Sequence, residues 1–269
     1  MTYFGFLLIF LGIPLLIISA LNFVDRRKNR RMPIELTNWL PGVAIAAHAL
    51  VAVAYTTPWD NYLVATGVWW YDPQLVTGIT IGWVPIEEYT FFILQPVLAG
   101  LWLVYLARRL PFGSAISSNV PTKRWLSVGV VGVVWLAAAA ILASGWQPGT
   151  YLGLILVWAL LPIMFQLWFG ADILWRHRYL IGVTIVTITL YLSAADALAI
   201  GSGTWTIDPG QSLQIYLGGV LPVEEFLFFL VTTVLLSFGM VLVMARQSQE
   251  RLTPNMRNRL SRIIPQGNG

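Results

Sequence analysis

The sequence predicts an all-α integral membrane protein of about seven transmembrane helices, arranged as two parallel three-helix repeats joined by one connector helix. Three observations carry that prediction. The chain is 57% apolar and only 10% charged, with a mean hydropathy of +0.72, against about 25% charged residues in ordinary soluble domains. Its apolar runs approach the roughly 20 residues that a membrane span needs. Its Lys and Arg residues fall into alternate loops only.

In chain order the runs lie near 3–22, 39–56, 79–106, 125–143, 151–170, 178–196 and 216–244. The first has no basic residue before it and is followed by Arg26-Arg27-Lys28-Asn29-Arg30-Arg31, the charge order of a first span with its N-terminus outside rather than of a signal peptide. The remaining basic residues sit at 108, 109, 123, 124, 176 and 178 and from Arg246 to Arg262. The loops near 57–78, 144–150 and 197–215 contain none. The positive-inside rule therefore predicts a multi-pass cell-membrane protein with its N-terminus outside and its C-terminus cytoplasmic. The net charge of +4 follows from that topology and from contact with anionic membrane lipid, so it requires no nucleic-acid partner.

The two ends of the chain repeat each other. Tyr3 and Pro14 match Tyr151 and Pro162, and Tyr55 and Asp60 match Tyr191 and Asp196. Gly67-x-Trp69-x-x-Asp72-Pro73 matches Gly203-x-Trp205-x-x-Asp208-Pro209 and, after one inserted residue, Gly82-x-x-Pro85 matches Gly219-x-x-Pro222. The expected division is residues 1–110 as the first repeat, 111–150 as a connector holding span four, 151–246 as the second repeat, and 247–269 as a basic cytoplasmic tail. One extra span between three-span units gives both copies the same orientation, related by a pseudo-two-fold axis along the membrane normal. Equivalent residues then lie at equal depth and can face a shared cavity.

The most informative repeated residues are acidic: Pro85-Ile86-Glu87-Glu88-Tyr89-Thr90-Phe91-Phe92 and Pro222-Val223-Glu224-Glu225-Phe226-Leu227-Phe228-Phe229. With Pro85 in the first helical turn, the helix to Ala107 rises about 34 Å, and Glu87 and Glu88 fall in the outer third of the bilayer. The stretch Ile79 to Val84 is then too short to span and reads as a re-entrant or interfacial cap. Acids in a first turn favour the helix dipole, but carboxylates in a membrane-length segment are costly and mark function by default. Adjacent helical residues point about 100° apart, which predicts one member of each pair in the cavity and the other held by a partner. Asp60 and Asp196, at the outer ends of their spans, are candidates for the same cluster. Asp72 and Asp208 stand before prolines and read equally well as turn residues. Phe91, Phe92, Phe228 and Phe229 follow the acids by one turn and are candidate cavity walls whose ring faces stabilise cations. Trp69, Trp70, Tyr71 and Trp205 read as an interfacial belt.

Other chemistries find little footing. There is no cysteine. His48 and His177 have no partner at ligand spacing, so no metal site is expected. There is no dinucleotide fingerprint, no Walker motif and no aspartate cluster of the kind that holds magnesium and diphosphate, so no cofactor is expected.

The pattern PWDNYL…GVWWYDP…IGWVPIEEYTFF, with its second copy D…GTWTIDP…GGVLPVEEFLFF, resembles the membrane carotenoid cyclases built from two small homologous units, in their fused form. The resemblance covers nearly the whole chain. It implies cyclisation of the linear ends of lycopene or a related linear carotenoid to ionone rings, most simply β rings, a redox-neutral isomerase reaction without cofactor, and association with other carotenoid biosynthesis enzymes. It places the acid–base centre at Glu87, Glu88, Glu224 and Glu225 with Asp60 and Asp196. The substrate wall is placed at Trp83, Tyr89, Phe91, Phe92, Phe226, Phe228 and Phe229. Ala197 opposite Asn61 and Phe226 opposite Tyr89 suggest that the halves differ in catalysis. A proton-coupled transporter also has parallel repeats and intramembrane acids; it would need polar residues through both halves of the path, and the cytoplasmic halves of these helices are nearly all apolar. A cyclase acting on a longer C50 carotenoid fits the same residues.

Overall fold

Seven apolar runs become seven long helices in the computed structural model, which describes residues 1–111, 120–253 and 255. They are α1 (Tyr3–Arg27), α2 (Pro41–Ala65), α3 (Ile86–Ala107), α4 (Val120–Ala143), α5 (Thr150–Arg176), α6 (Arg178–Gly201) and α7 (Val223–Met244). All are long and apolar enough to cross a membrane, as a multi-pass membrane protein requires. Part of the expected connector, 112–119, and most of the basic tail, including Arg257, Arg259 and Arg262, lie outside the described residues.

The helices run further than hydropathy alone predicts. α2 continues about two and a half turns past its apolar run and α6 about one and a half, so Asp60 and Asp196 lie inside helices rather than at their ends, and both are buried. Hydropathy stops at the first polar residue, whereas the helix continues because those polar groups face inward. Conversely, the third and seventh runs begin before their helices. Thr80–Ile81 (β2) pairs with Val84–Pro85 (β3), and Tyr216–Leu217 (β5) pairs with Leu221–Pro222 (β6). The stretch expected as a re-entrant or interfacial cap is thus a tight hairpin. Pro85 is the extended residue that caps α3 (φ −70°, ψ 152°) rather than part of its first turn.

The pseudo-two-fold is visible in the loops. Trp69–Tyr71 (β1) and Trp205–Ile207 (β4) form an antiparallel ribbon in which Trp70 faces Thr206, its own repeat equivalent, and Tyr71 faces Trp205. Equivalent residues paired about one centre are what a two-fold axis through the ribbon produces. Backbone bonds recur in register: Tyr3 N–H donates to the Leu75 carbonyl (2.8 Å) and Tyr151 N–H to that of Gln211 (3.0 Å). Asp72 N–H likewise reaches Thr204 (3.2 Å) and Asp208 N–H reaches Val68 (2.8 Å). The inserted residue of the second copy falls in the hairpin turn, where Gly218 and Gly219 have φ of +59° and +75°. α4 packs on α5, with only 6% of its apolar window buried, and leaves the shared core to the other six helices.

The opposite, basic end is tied by ion pairs. Asp25 accepts two bonds of 2.7 Å from Arg109, while Asp172 accepts from Arg124 Nε (2.8 Å) and from Arg251. Arg109 keeps its charge, since the bonded Asp25 carboxylate raises its pKa further.

Candidate active site

Near the hairpin end the two repeats together line one cavity of about 40 Å³. α2 and α6 supply Asp60 and Asp196 at equivalent positions, and α3 and α7 supply Glu88 and Glu225. Its remaining walls are aromatic: Tyr3, Phe6, Trp59, Trp69, Tyr71, Trp205 and the four phenylalanines Phe91, Phe92, Phe228 and Phe229. Phe91, Phe92 and Phe228 also wall a second cavity of about 400 Å³, so those rings divide the acids from the larger space.

Each acidic pair is split by the helical turn. Glu88 faces the cavity and accepts from the hydroxyls of Tyr3 and Tyr71, the latter at 3.2 Å; Glu225 accepts from the Tyr151 hydroxyl at 2.5 Å. Their neighbours turn away into the loops. Glu87 Oε1 takes the Thr77 N–H at 2.6 Å, and Glu224 Oε1 takes the Leu213 N–H at 2.6 Å. Neither Glu87 nor Glu224 lines the cavity, so the structure places both as anchors of the loop that precedes each hairpin.

The aspartates differ. Asp196 Oδ1 accepts from Trp205 Nε1 at 3.0 Å, whereas neither oxygen of the buried Asp60 has a hydrogen-bond partner. Tyr71 lies outside the spanning segments, and burial holds its hydroxyl well above the ordinary phenol range. It therefore remains a donor at any physiological pH. Among the described residues no group of three or more His, Cys, Asp or Glu side chains lies at the spacing that would hold a metal ion.

Several expected wall residues stand elsewhere. Trp83 is in the two-residue turn of the first hairpin, 67% exposed and away from the cavity. Tyr89 and Phe226 are also outside it. The Tyr89 hydroxyl donates to the Ile81 carbonyl (2.9 Å) and accepts from Asn61 Nδ2 (3.0 Å), while Asn61 Oδ1 accepts from the Trp83 N–H (2.8 Å). This network pins the hairpin, and a Cβ on Gly82 would fall 2.2 Å from Asn61 Oδ1. The Asn61/Ala197 and Tyr89/Phe226 differences are therefore differences in hairpin attachment, outside the cavity. Conversely, Trp69, Tyr71 and Trp205 are not belt residues: the β1–β4 ribbon folds them over the acids. Trp70, 45% exposed, is the one of the group that faces out. The duplication of Tyr3 at Tyr151 was the available sign that phenols accompany the acids.

A family model described as lycopene cyclase matches residues 1–106 and 148–244. A lycopene beta-cyclase of Halobacterium salinarum is 35% identical over 241 residues, covering 90% of this chain and 95% of that protein. A bifunctional lycopene cyclase/phytoene synthase of Colletotrichum graminicola is 36% identical over 196 residues, 70% of this chain and 33% of that protein. One from Podospora anserina is 35% identical over 201 residues, 71% of this chain and 34% of that protein. The chain thus spans about a third of the length of these fungal relatives. No solved structure matches.

Proposed function

The chain belongs to the lycopene cyclase family, and from that premise we propose that it closes the linear ends of lycopene into ionone rings, as a redox-neutral isomerase with β rings as product. The observation that carries this reading is the convergence of four carboxyl groups, two from each repeat, on one aromatic cavity. Chemically the reaction needs a proton donor, a proton acceptor, a dry site and faces that stabilise a cation. A proton added to the terminal double bond leaves a tertiary cation. The neighbouring double bond attacks it, closing a six-membered ring and passing the charge into the ring, and loss of a ring proton restores the alkene. One proton enters and one leaves, so no oxidant or reductant is consumed.

The hydrogen bonding supports distinct roles. Asp60, with no donor to either oxygen, is the carboxyl most costly to ionise and is assigned as proton donor. Glu88, accepting from two phenols, is the carboxylate best supported as acceptor. Glu225 and Asp196 complete the cluster and set the field from the other side. Glu87 and Glu224 act as positioning residues through the loops they anchor. Phe91, Phe92, Phe228 and Phe229 present ring faces to the cation. The distribution of Lys and Arg supports a cell-membrane topology with the cavity toward the outer face and the C-terminus in the cytoplasm.

Expression in lycopene-producing cells tests the reading. Pigment extracts should contain cyclic carotenoids with the wild-type chain. With Glu88→Gln at equal membrane level, linear lycopene should remain. Lycopene left unchanged by the wild type would overturn the proposal.

A further inference from the structure

The cavity of about 400 Å³ is a slot between α2, α3, α5 and α7, and it meets the acid cavity at the rings of Phe91, Phe92 and Phe228, which wall both. Its lining runs along the helices. Gln95 is seven residues beyond Glu88, and Val243 is eighteen beyond Glu225, which at helical rise puts them about 10 Å and about 27 Å from the acids. Trp39, at the start of α2, closes the same end as Val243. The slot is therefore a long channel parallel to the helix axes that covers most of the roughly 30 Å hydrocarbon depth.

The pseudo-two-fold creates a second groove, of about 300 Å³, between α1, α3 and α6. Tyr191, Thr187, Ile188, Pro14 and Leu98 stand there where the slot has Tyr55, Val51, Ala52, Pro162 and Leu235. This groove shares no lining residue with the acid cavity. A row of near-parallel rings runs from the slot to the acid cavity: Tyr55 stacks on Trp158 (5.4 Å, 19°), Trp158 on Trp59 (4.5 Å, 18°), and Trp59 on Phe228 (5.8 Å, 4°). In the other repeat Phe10 replaces Trp158 and Ala195 replaces Trp59, so the row is broken there. Aligned flat faces suit a flat, rigid, conjugated chain better than a flexible acyl tail. The buried Gln95 Nε2, which lines the slot with no partner, adds a donor suited to a π face.

Resting on the cyclase reading, we propose that the slot is the bed of the linear polyene. One end group lies among Asp60, Glu88, Asp196 and Glu225, the chain runs along the helix axes toward Trp39 and Val243, and the symmetry-related groove holds no substrate. Only one end then reaches the acids in each binding event. The second ring requires release of the monocyclic product and re-entry in the opposite direction.

Ala52→Trp fills the slot, and Thr187→Trp fills the related groove. Both variants and the wild type are purified into lipid nanodiscs and given lycopene. Ala52→Trp should lower the initial cyclisation rate by about tenfold or more while Thr187→Trp stays within about twofold. Should Ala52→Trp not be recovered folded, Ala52→Leu is expected to show the same order with a smaller loss. Equal losses, or a loss confined to Thr187→Trp, would overturn the slot. With wild type and excess lycopene, free monocyclic product should accumulate before any dicyclic product; dicyclic product arising first would overturn the one-end geometry. A wild type that leaves lycopene intact would instead remove the cyclase reading, and the slot with it.

Discussion

Each repeat brings one aspartate and one glutamate to the cavity, and the two halves then treat them differently. In the first half Glu88 accepts from two phenols, Tyr3 and Tyr71, and Asp60 has no donor; in the second Glu225 accepts from Tyr151 alone, and Asp196 is bonded to Trp205. The causes are single residues. Ile207 occupies the place of Tyr71, which removes one phenol. Trp59, where the second half has Ala195, packs edge-on against Trp69 (5.9 Å, 79°), and the Trp69 Nε1 has no partner, unlike that of Trp205. Duplication supplied a symmetric scaffold with two acid pairs at equal depth. A few substitutions then made one aspartate bare and one glutamate doubly supported, which is the separation of donor from acceptor that proton-transfer chemistry needs.

The largest expected effect is at Glu88. Glu88→Gln keeps the shape but removes the acceptor, and the cyclisation rate in isolated membranes should fall by about 100-fold or more. Glu225→Gln should cost clearly less, because its half supplies the field rather than the assigned acceptor. Next comes Tyr71→Phe, which removes one of two donors to Glu88 and is expected to slow turnover by about tenfold, the equivalent of one hydrogen bond to a charged group. Converting Ile207→Tyr sharpens the same contrast: a second phenol beside Glu225 should narrow the difference between the halves in a Tyr71→Phe background. A smaller effect, on stability, is expected at Asn61. Asn61→Ala releases the first hairpin from Tyr89 and Trp83, so the midpoint of thermal unfolding in detergent should drop by an amount corresponding to about 1 kcal/mol, with turnover within about twofold. Trp83→Ala, at the exposed turn, should change the rate least.

The seven helices, their duplication and the acidic pairs were legible because apolar length and buried charge are written directly in the residues. The 100° between neighbours was enough to foresee that Glu87 and Glu88 would face different ways. What could not be read was which aromatic residues fold inward. Trp69 and Tyr71 stand in a loop beside Trp70 and look alike as sequence, and only the pairing of β1 with β4 aims two of them at the acids and one away. Trp83 was expected in the wall, but a two-residue turn reverses the chain there. Asn61 and Tyr89 were visible as differences between repeats, yet their meaning depended on the hairpin pairing of a stretch that reads in sequence only as a re-entrant or interfacial cap. The slot was invisible for a related reason, since its walls come from residues as distant as Trp39 and Val243.

The central claim is that the halves share one cavity but not one role, and the aspartates test it most directly. Asp60→Asn and Asp196→Asn are isosteric changes at equivalent positions, and their initial rates of lycopene consumption can be compared in membranes at matched protein level. The bare Asp60 should lose about 100-fold or more on amidation and the tryptophan-bonded Asp196 about tenfold or less. Equal losses, or a greater loss at Asp196, would contradict the division of labour between the repeats.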